Sequence, residues 1–387
     1  MTATAPASER AHPLTSRVPR VDSLTGLRWW AAFGVFFFHM AAFAPLPNPI
    51  LNVSELGHYG VTFFFVLSGF VLVLSARAGT PNSTFYWRRF ARIYPSHLVA
   101  LLLAFPVFYS VAPSAEQWWV KPVDPGVMAL SFPLLQGWSR DDAVLFSGNP
   151  AAWTLSCELF FYAIFPFVLA GLIRLGLRGA LVASAAVVAL AVALGIGAHI
   201  APEIFGSIPW PILRTPEFLL GMTLGWAVRL GWRPRWLPLS GTLVLTVLLA
   251  LILSFPGRFA ALGPFETAIR WGANEIVIVL CALMIVSASV NDLNGRRSIL
   301  RTPALVRLGE WSYAFYLVHA TVMYVIFAFV GAHPASWSNW PWYVLVLTGA
   351  LVLAAAVHHW VEAPVERRLR RWKDERDRRR TAAAVTA

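Results

Sequence analysis

The amino-acid sequence predicts an all-α fold, a polytopic membrane bundle of about ten transmembrane helices with both chain termini in the cytosol. Of its 387 residues, 58% are hydrophobic and only 13% are charged, whereas a soluble domain is usually about 45–50% apolar and about 25% charged. The apolar residues form runs long enough to cross a bilayer, and basic residues cluster between the runs. Many of the 18 tryptophans lie near the ends of these runs, which is typical of an interfacial belt.

Ten apolar runs can each supply the roughly 20 residues that a transmembrane helix needs. We therefore divide the chain into a disordered basic cytosolic arm (1–23), a transmembrane domain (24–364) and a basic cytosolic tail (365–387). The longest loop between spans is 113–150. The predicted spans are 24–43, 58–76, 93–112, 152–172, 180–199, 210–228, 237–255, 272–290, 309–330 and 341–361.

The distribution of positive charge supports this topology. Of the 31 lysines and arginines, the outer segments hold only Lys121, Arg140, Arg258 and Arg270, and nearly all the others lie in inner segments. This asymmetry favours an even number of spans with a cytosolic N-terminus. It also explains the net charge of +12 without a nucleic-acid partner. Residues 1–20 contain no apolar core, so we do not expect a cleavable signal peptide.

The first predicted span carries two side chains that hydrocarbon disfavours, Arg28 and His39. They are eleven residues apart, which is about three helical turns, so both lie on one face about 16 Å apart along the axis. Arg28 falls at the cytosolic mouth and is also compatible with a snorkelling anchor. His39 falls beyond the midplane. It is either a packed, hydrogen-bonded group or a catalytic base, since neutral imidazole is the natural general base near pH 7.

Three arginines follow the second span in the segment FYWRRFARIYP, namely Arg88, Arg89 and Arg92. A positive-inside loop requires basic residues of this kind, so topology alone is one explanation. The other is a phosphate-binding site, because guanidinium groups pair bidentately with phosphate oxygens. Arg89 and Arg92, at i and i+3, can share one helix face.

A buried carboxylate is expected in the fourth span, where WTLSCELFFY contains Glu158 and Tyr162. Counted from the outer end, Glu158 is about 9 Å deep, close to the depth of His39. The carboxylate could orient that imidazole and stabilise its protonated form, or it could contact an arginine or the backbone for structural reasons. In the second span, Ser68 belongs to the segment GVTFFFVLSGFVL, where close helix packing is an equally good explanation.

The ninth span adds Ser312, Tyr316 and His319, with His319 near the midplane. Hydroxyl groups at such positions can donate hydrogen bonds to an oxyanion. The tenth span ends in HHWVE (358–362), whose adjacent histidines lack the spacing of a zinc site, and we interpret this segment as interfacial or structural. Both cysteines lie in apolar runs, so we predict no metal and no disulfide framework.

Taken together, these segments resemble membrane acyltransferase family 3, which includes bacterial O-antigen acetylases, nodulation-factor acetylases and macrolide acyltransferases. The resemblance extends from about Leu24 to about Arg368. No single segment is specific, but six occur in order: LTGLRWWAAFGVFFFH, GVTFFFVLSGF, RRFARIYP, WTLSCELFFY, SYAFYLVH and VEAPVERR. The family's Arg and His eleven residues apart, its Arg-x-x-Arg and its Glu-x-x-Phe-Tyr match Arg28 and His39, Arg89 and Arg92, and Glu158, Phe161 and Tyr162.

The resemblance implies a multi-pass O-acyltransferase of the bacterial cell membrane that moves an acetyl or other short acyl group from acyl-CoA to a hydroxyl group. Acyl-CoA would be a co-substrate, and no cofactor would be bound permanently. His39 would take the proton from the acceptor, and Glu158 would orient His39. The CoA phosphates would bind to Arg28, Arg88, Arg89 and Arg92. Contacts to the oxyanion or substrate would come from Ser68, Tyr162, Ser312, Tyr316 or His319.

The expected acceptor is a glycosylated small molecule such as a macrolide, with envelope polysaccharide as the alternative. Trp118, Trp119 and Trp138 in the long loop could stack on such an acceptor or anchor the loop at the interface. Direct transfer and a covalent acyl intermediate both stay open at this point. Two other classes also remain: a proton-coupled transporter, which buried His, Glu and Arg would suit, and a membrane scaffold without chemistry.

Overall fold

The fold is known from a computed structural model, which describes residues 14–15, 18–114 and 117–386. The described residues are mostly helical, as predicted. Their strands form a single parallel pair of two residues each, Tyr109–Ser110 (β1) and Lys121–Pro122 (β2). The part of the predicted arm before residue 14 lies outside the described residues. Leu14 is buried, and its carbonyl oxygen accepts a hydrogen bond from the Ala78 N–H at 3.2 Å.

The helices, in chain order, are α1 (Asp22–Met40), α2 (Ile50–Ser54), α3 (Gly60–Ser75), α4 (Asn82–Phe108), α5 (Pro125–Ser131), α6 (Asp142–Leu145), α7 (Trp153–Leu172), α8 (Leu177–Ile200), α9 (Pro202–Ser207), α10 (Trp210–Leu213), α11 (Thr215–Arg229), α12 (Leu239–Ser254), α13 (Pro264–Trp271), α14 (Ala273–Leu293), α15 (Pro303–Val330), α16 (Trp340–Val357) and α17 (Ala363–Thr386). Short 3₁₀ turns occur at Glu55–Tyr59, Gln136–Trp138, Pro150–Ala152, Ala260–Leu262, Ile299–Arg301 and Trp337–Asn339. A π-helical turn, His358–Glu362, joins α16 to α17.

Every predicted span overlaps one of these helices, so the all-α membrane bundle is confirmed in outline. Among the described residues, seven helices are long and apolar enough to cross a membrane: Ile50–Ser75, Asn82–Phe108, Pro150–Leu172, Leu177–Ile200, Ala273–Leu293, Pro303–Val330 and Trp337–Arg379. α12 is apolar but shorter, and α1 carries the polar side chains noted above. The count of ten spans and the side on which the termini lie therefore remain predictions.

The predicted span 210–228 is broken in two. Arg214 has non-helical dihedral angles, φ −90° and ψ 2°, and separates α10 from α11. Pro216 follows in the first turn of α11, where its missing N–H leaves no bond unmade. The break exposes a basic side chain at a helix junction inside the bundle, and this junction borders one of the cavities described below.

Close helix contacts are made possible by glycine. A Cβ at Gly69 of α3 would lie 2.1 Å from the carbonyl oxygen of Phe218, and one at Gly221 of α11 would lie 1.9 Å from that of Val66. The backbones of α3 and α11 therefore touch only because neither position carries a side chain. Close helix packing in this segment therefore depends on Gly69, whereas the neighbouring Ser68, for which packing was one explanation, faces a cavity.

The predicted basic tail is a helix that packs on α4. The Trp87 indole N–H donates to the carbonyl oxygen of Leu369 at 2.8 Å, and the Thr84 hydroxyl donates to Asp377 at 2.7 Å. The rings of Trp87 and Trp372 lie 5.0 Å apart. The tail therefore forms part of the folded body at the same end of the bundle as the start of α4.

Candidate active site

Two adjoining cavities contain most of the predicted site residues. The arginine cavity, of about 200 Å³, is lined by Arg28 from α1, Arg89 and Arg92 from α4, and Glu158 from α7. The histidine cavity, of about 560 Å³, is lined by His39 from α1 and lies further along the bundle. The side chains of Arg28 and His39 therefore line two successive cavities along the same helix. This agrees with their predicted position about three turns apart on one face.

Two of the four predicted phosphate-binding arginines already have carboxylate partners. Arg92 makes a short ion pair with Glu362 and a second one with Glu366 at 3.3 Å. Arg88 pairs with Asp374 at 2.9 Å. Glu362 comes from the π turn, in the segment interpreted as interfacial or structural, and Glu366 and Asp374 come from α17 in the predicted basic tail. These two segments supply the counter-ions of α4.

The π turn explains how Glu362 reaches Arg92. A π-helical turn inserts an extra residue per turn and re-aims the side chains that follow it. Glu362 is 1% exposed, and its other carboxylate oxygen lies 3.1 Å from Nδ1 of His358. A buried carboxylate requires partners of this kind, because an unpaired charge is costly away from water.

Arg28 and Arg89 have neither an ion pair nor a hydrogen bond to any described residue. The guanidinium of Arg89 lies over the rings of Phe85 and Tyr162, at 5.9 and 5.8 Å from their centroids. Its Nε is buried without a hydrogen-bond partner in the described part of the chain. These two arginines are therefore free to bind an anion that enters the cavity.

Glu158 belongs to the arginine cavity and not to the environment of His39. Its carboxylate accepts a hydrogen bond from the Tyr162 hydroxyl at 3.4 Å. The structure does not bring Glu158 and His39 together. The two residues were expected to lie at the same depth in the membrane, but depth along a helix does not determine the direction in which a side chain points. Val61 and Tyr316 line both cavities and mark where they meet.

His39 instead faces His319, whose ring centroid lies 5.4 Å from its own. His319 is fully buried, and its Nδ1 lies 2.8 Å from the carbonyl oxygen of Tyr316. That contact requires an N–H at Nδ1, so the neutral ring keeps Nε2 as a hydrogen-bond acceptor. This Nε2 is buried and has no partner among the described residues.

The remaining hydroxyl candidates all line the arginine cavity: Ser68, Tyr162, Ser312 and Tyr316. Ser312 donates its proton to the carbonyl oxygen of Gly309 at 2.8 Å, which commits it to the backbone of its own helix. Tyr316 lies 3.1 Å from the Thr154 hydroxyl. Of the four, only Tyr316 also lines the histidine cavity.

The wall of the histidine cavity is aromatic. Trp118 and Trp119 line it as expected, but Trp138 does not, since it packs on Phe160 at 5.4 Å. The other rings of the wall belong to Phe38, Phe108, Phe146, Trp153, Trp210, Tyr316 and Tyr324. Trp153 and Trp210 were not predicted, because both lie outside the long loop, at the starts of α7 and α10.

A few polar groups interrupt this wall. Arg214, at the break before α11, lines the cavity, pairs with Glu217 at 2.8 Å and lies over the Trp210 ring. Lys121 lies in the long loop, where its ammonium contacts the carbonyl oxygens of Ala143 and Phe146 at 3.4 and 3.2 Å. Partial burial lowers the pKa of Lys121 below its ordinary value.

Comparison with known proteins places the chain in a family. A profile described as an acyltransferase domain matches residues 21–359. The chain belongs to the acyltransferase 3 family. The resemblance found in the sequence is thereby confirmed, and the two cavities are those of a membrane acyltransferase. No solved structure matches this acyltransferase.

Two curated relatives cover nearly the whole chain. The acyltransferase is 33% identical over 383 residues to "Acyltransferase MdmB" of Streptomyces mycarofaciens, covering 92% of this chain and 94% of the relative. It is 26% identical over 370 residues to "Nodulation protein 10" of Rhizobium leguminosarum bv. viciae, covering 87% and 91%.

Proposed function

We propose that this acyltransferase moves an acetyl or other short acyl group from acyl-CoA to a hydroxyl of a glycosylated or macrolide-type acceptor. The observation that carries the proposal is the meeting of two unlike cavities at Val61 and Tyr316. One offers unpaired guanidinium groups, which suit an anionic donor. The other offers an imidazole in an aromatic wall, which suits a largely uncharged acceptor.

The donor enters from the arginine-rich end of the bundle, which the distribution of basic residues assigns to the cytosol. Its negative charge is attracted to this end by Arg28 and Arg89, the two predicted phosphate-binding arginines without carboxylate partners among the described residues. The narrow arginine cavity fits an extended pantetheine arm, with Glu158 available to accept hydrogen bonds from its amides. The thioester then lies at the junction beside Tyr316.

The reaction that fits this placement is a direct transfer. Neutral His39 takes the proton of the acceptor hydroxyl while the hydroxyl oxygen attacks the thioester carbonyl carbon. The tetrahedral oxyanion accepts a hydrogen bond from the Tyr316 hydroxyl. As the C–S bond breaks, CoA leaves as a thiolate, and the proton on His39 passes to that sulfur. His319, rather than Glu158, holds the His39 ring in place.

The aromatic wall supports an acceptor with apolar faces, and stacking of rings on sugar or macrolide faces would hold it against His39. Envelope polysaccharide is the alternative acceptor, and it would reach the same base from the opposite end to acyl-CoA. In either case the protein is a multi-pass enzyme of a bacterial cell membrane, and acyl-CoA is a co-substrate and not a resident cofactor.

The test is release of free CoA from acetyl-CoA by the purified protein in nanodiscs. The acceptors are a macrolide glycoside, an alkyl maltoside and a purified O-polysaccharide, each assayed with wild type and with His39→Ala. We expect acceptor-stimulated release that the variant loses, and mass spectrometry of the product identifies the acceptor class. Absence of release with every acceptor and several acyl lengths, together with accumulation of solute in proteoliposomes without acyl-CoA, would establish a transporter instead.

A further inference from the structure

A third cavity, the tail cavity, adjoins the arginine cavity at the arginine-rich end. It has a volume of about 540 Å³ and lies between α4, α7 and α17. Its basic lining consists of Arg77, Arg88, Arg89 and Arg370. A volume of several hundred Å³ is the usual size of a small-molecule site.

Positive charge predominates in this lining. Four guanidinium groups face a single carboxylate, that of Asp374, among the described lining residues. Asp374 pairs with Arg88, and Arg370 pairs with Glu366, which does not line the cavity. The Nε atoms of Arg89 and Arg370 are nevertheless buried without a hydrogen-bond partner in the described part of the chain. Buried N–H groups of this kind are donors that a bound anion would satisfy.

The rest of the lining is apolar and partly flat. The rings of Phe85 and Phe165 stack at 4.8 Å with an interplanar angle of 19°. They stand beside the arginines, together with Leu169 and Ile173. A ligand for this cavity therefore combines several negative charges with a flat or apolar ring.

The tail cavity borders the arginine cavity. Arg89 and Leu72 line both it and the arginine cavity. A ligand whose charged end occupies the tail cavity could extend a narrow arm past Arg89 toward Glu158. This is the arrangement that a long donor with a phosphorylated head needs.

We propose that the tail cavity binds the phosphorylated nucleotide end of acyl-CoA and that α17 completes this site through Arg370. The inference deepens the proposed function, on which it rests. Arg370 and Asp374 lie beyond residue 359, where the match to the family profile ends. The Asp374 carboxylate competes with the ligand for Arg88, since it pairs with Arg88 until a phosphate group takes its place.

The experiment measures binding of adenosine 3′,5′-bisphosphate and of CoA to the full-length protein in phosphatidylcholine nanodiscs by calorimetry. We expect Arg370→Gln to raise the dissociation constant of both ligands about tenfold. The matched control is Arg371→Gln, which removes the same charge from an exposed neighbour that does not line the cavity. Equal affinities in the two variants would overturn the assignment.

A second variant gives a change that misfolding cannot imitate. Asp374→Asn leaves Arg88 without its carboxylate, so we expect adenosine 3′,5′-bisphosphate to bind about two- to fivefold more tightly. Unchanged or weaker binding by a variant with normal thermal unfolding would contradict the role of Asp374.

Two further arms separate the possible sources of the phosphate and the two proposals. If phosphatidylglycerol in the nanodisc abolishes nucleotide binding to wild type, the cavity is a lipid headgroup site and the assignment falls. If acetyl-CoA supports transfer but adenosine 3′,5′-bisphosphate neither binds nor competes, the proposed function stands and this site is overturned. Arg370-dependent nucleotide binding without any acyl transfer would support the site while refuting the proposed function.

Discussion

The arginine cavity and the histidine cavity meet at Tyr316, but they tolerate polar groups inside the bundle in different ways. In the arginine cavity, Arg92 is balanced by carboxylates that α17 and the π turn bring across from another part of the chain. In the histidine cavity, the ring of His39 lies beside those of Phe38 and His319, with centroids 5.1 and 5.4 Å away. The arginine cavity therefore places an ion-paired arginine beside unpaired ones, whereas His39 packs among rings and makes no ion pair with a described residue.

The difference teaches how to sort residues of one type into structural and functional groups. Arg89 and Arg92 lie on one helix, three residues apart, and both line the arginine cavity. Arg92 forms ion pairs with Glu362 and Glu366, whereas the Nε of Arg89 is buried without a hydrogen-bond partner among the described residues. The two arginines should therefore fail in different ways when replaced.

The largest effect is expected in the histidine cavity. His39→Ala should lower the rate of acyl transfer about 10³-fold, because a positioned general base contributes roughly that factor. The measurement is kcat for acceptor-dependent CoA release. The control is His199→Ala on α8, whose ring stacks on Trp271 and lines neither cavity. Equal rates of acyl transfer in His39→Ala and wild type would show that His39 is not the general base.

The next effect concerns stability and belongs to the arginine cavity. Arg92→Ala should lower the free energy of unfolding by about 3 kcal/mol, because it leaves the carboxylate of Glu362 buried without its guanidinium. Chemical denaturation in detergent measures this loss. The double variant Arg92→Met with Glu362→Gln should recover much of the stability, since no charge is then left unpaired. If Arg92→Ala is as stable as wild type, the ion pair between Arg92 and Glu362 does not contribute to stability.

Arg89 supplies the contrasting case. Arg89→Gln should raise the KM for acyl-CoA about tenfold, since it removes charge-assisted hydrogen bonds to the donor. It should leave the free energy of unfolding near that of wild type, because Arg89 makes no ion pair or hydrogen bond with a described carboxylate. Steady-state kinetics at varied acyl-CoA and the same denaturation assay test both halves. A destabilised variant with unchanged KM would reverse the assignment of the two arginines.

Sequence analysis predicted the parts of this comparison that depend on local pattern. Apolar runs and charge asymmetry predicted the helices, and the eleven-residue spacing placed Arg28 and His39 on one face of α1. The sequence analysis could not predict that the Glu158 side chain points into the arginine cavity. The depth of a residue along a helix does not specify the direction in which its side chain points.

Pairing between distant segments was also beyond the sequence. The separation of Arg92 from Glu362 is 270 residues, and the π turn that aims Glu362 inward leaves no mark in hydrophobic periodicity. The sequence analysis interpreted Glu362 as part of an interfacial or structural segment, and Glu366 entered only through the family resemblance of VEAPVERR. Its acidic residues, set among arginines, were the available signal that the tail supplies counter-ions to α4.

The smallest effect separates two tryptophans of the same loop. Trp118 lines the histidine cavity, whereas Trp138 packs on Phe160 outside it. Trp118→Ala should raise the KM for the acceptor about two- to tenfold, the range expected for one lost ring contact, and should leave the KM for acyl-CoA unchanged. Trp138→Ala is the matched control and should alter neither constant. Equal effects of the two changes on the acceptor KM would mean that the loop acts as an interfacial anchor, and acceptor recognition would then have to come from Trp153 and Trp210 on the helical side of the wall.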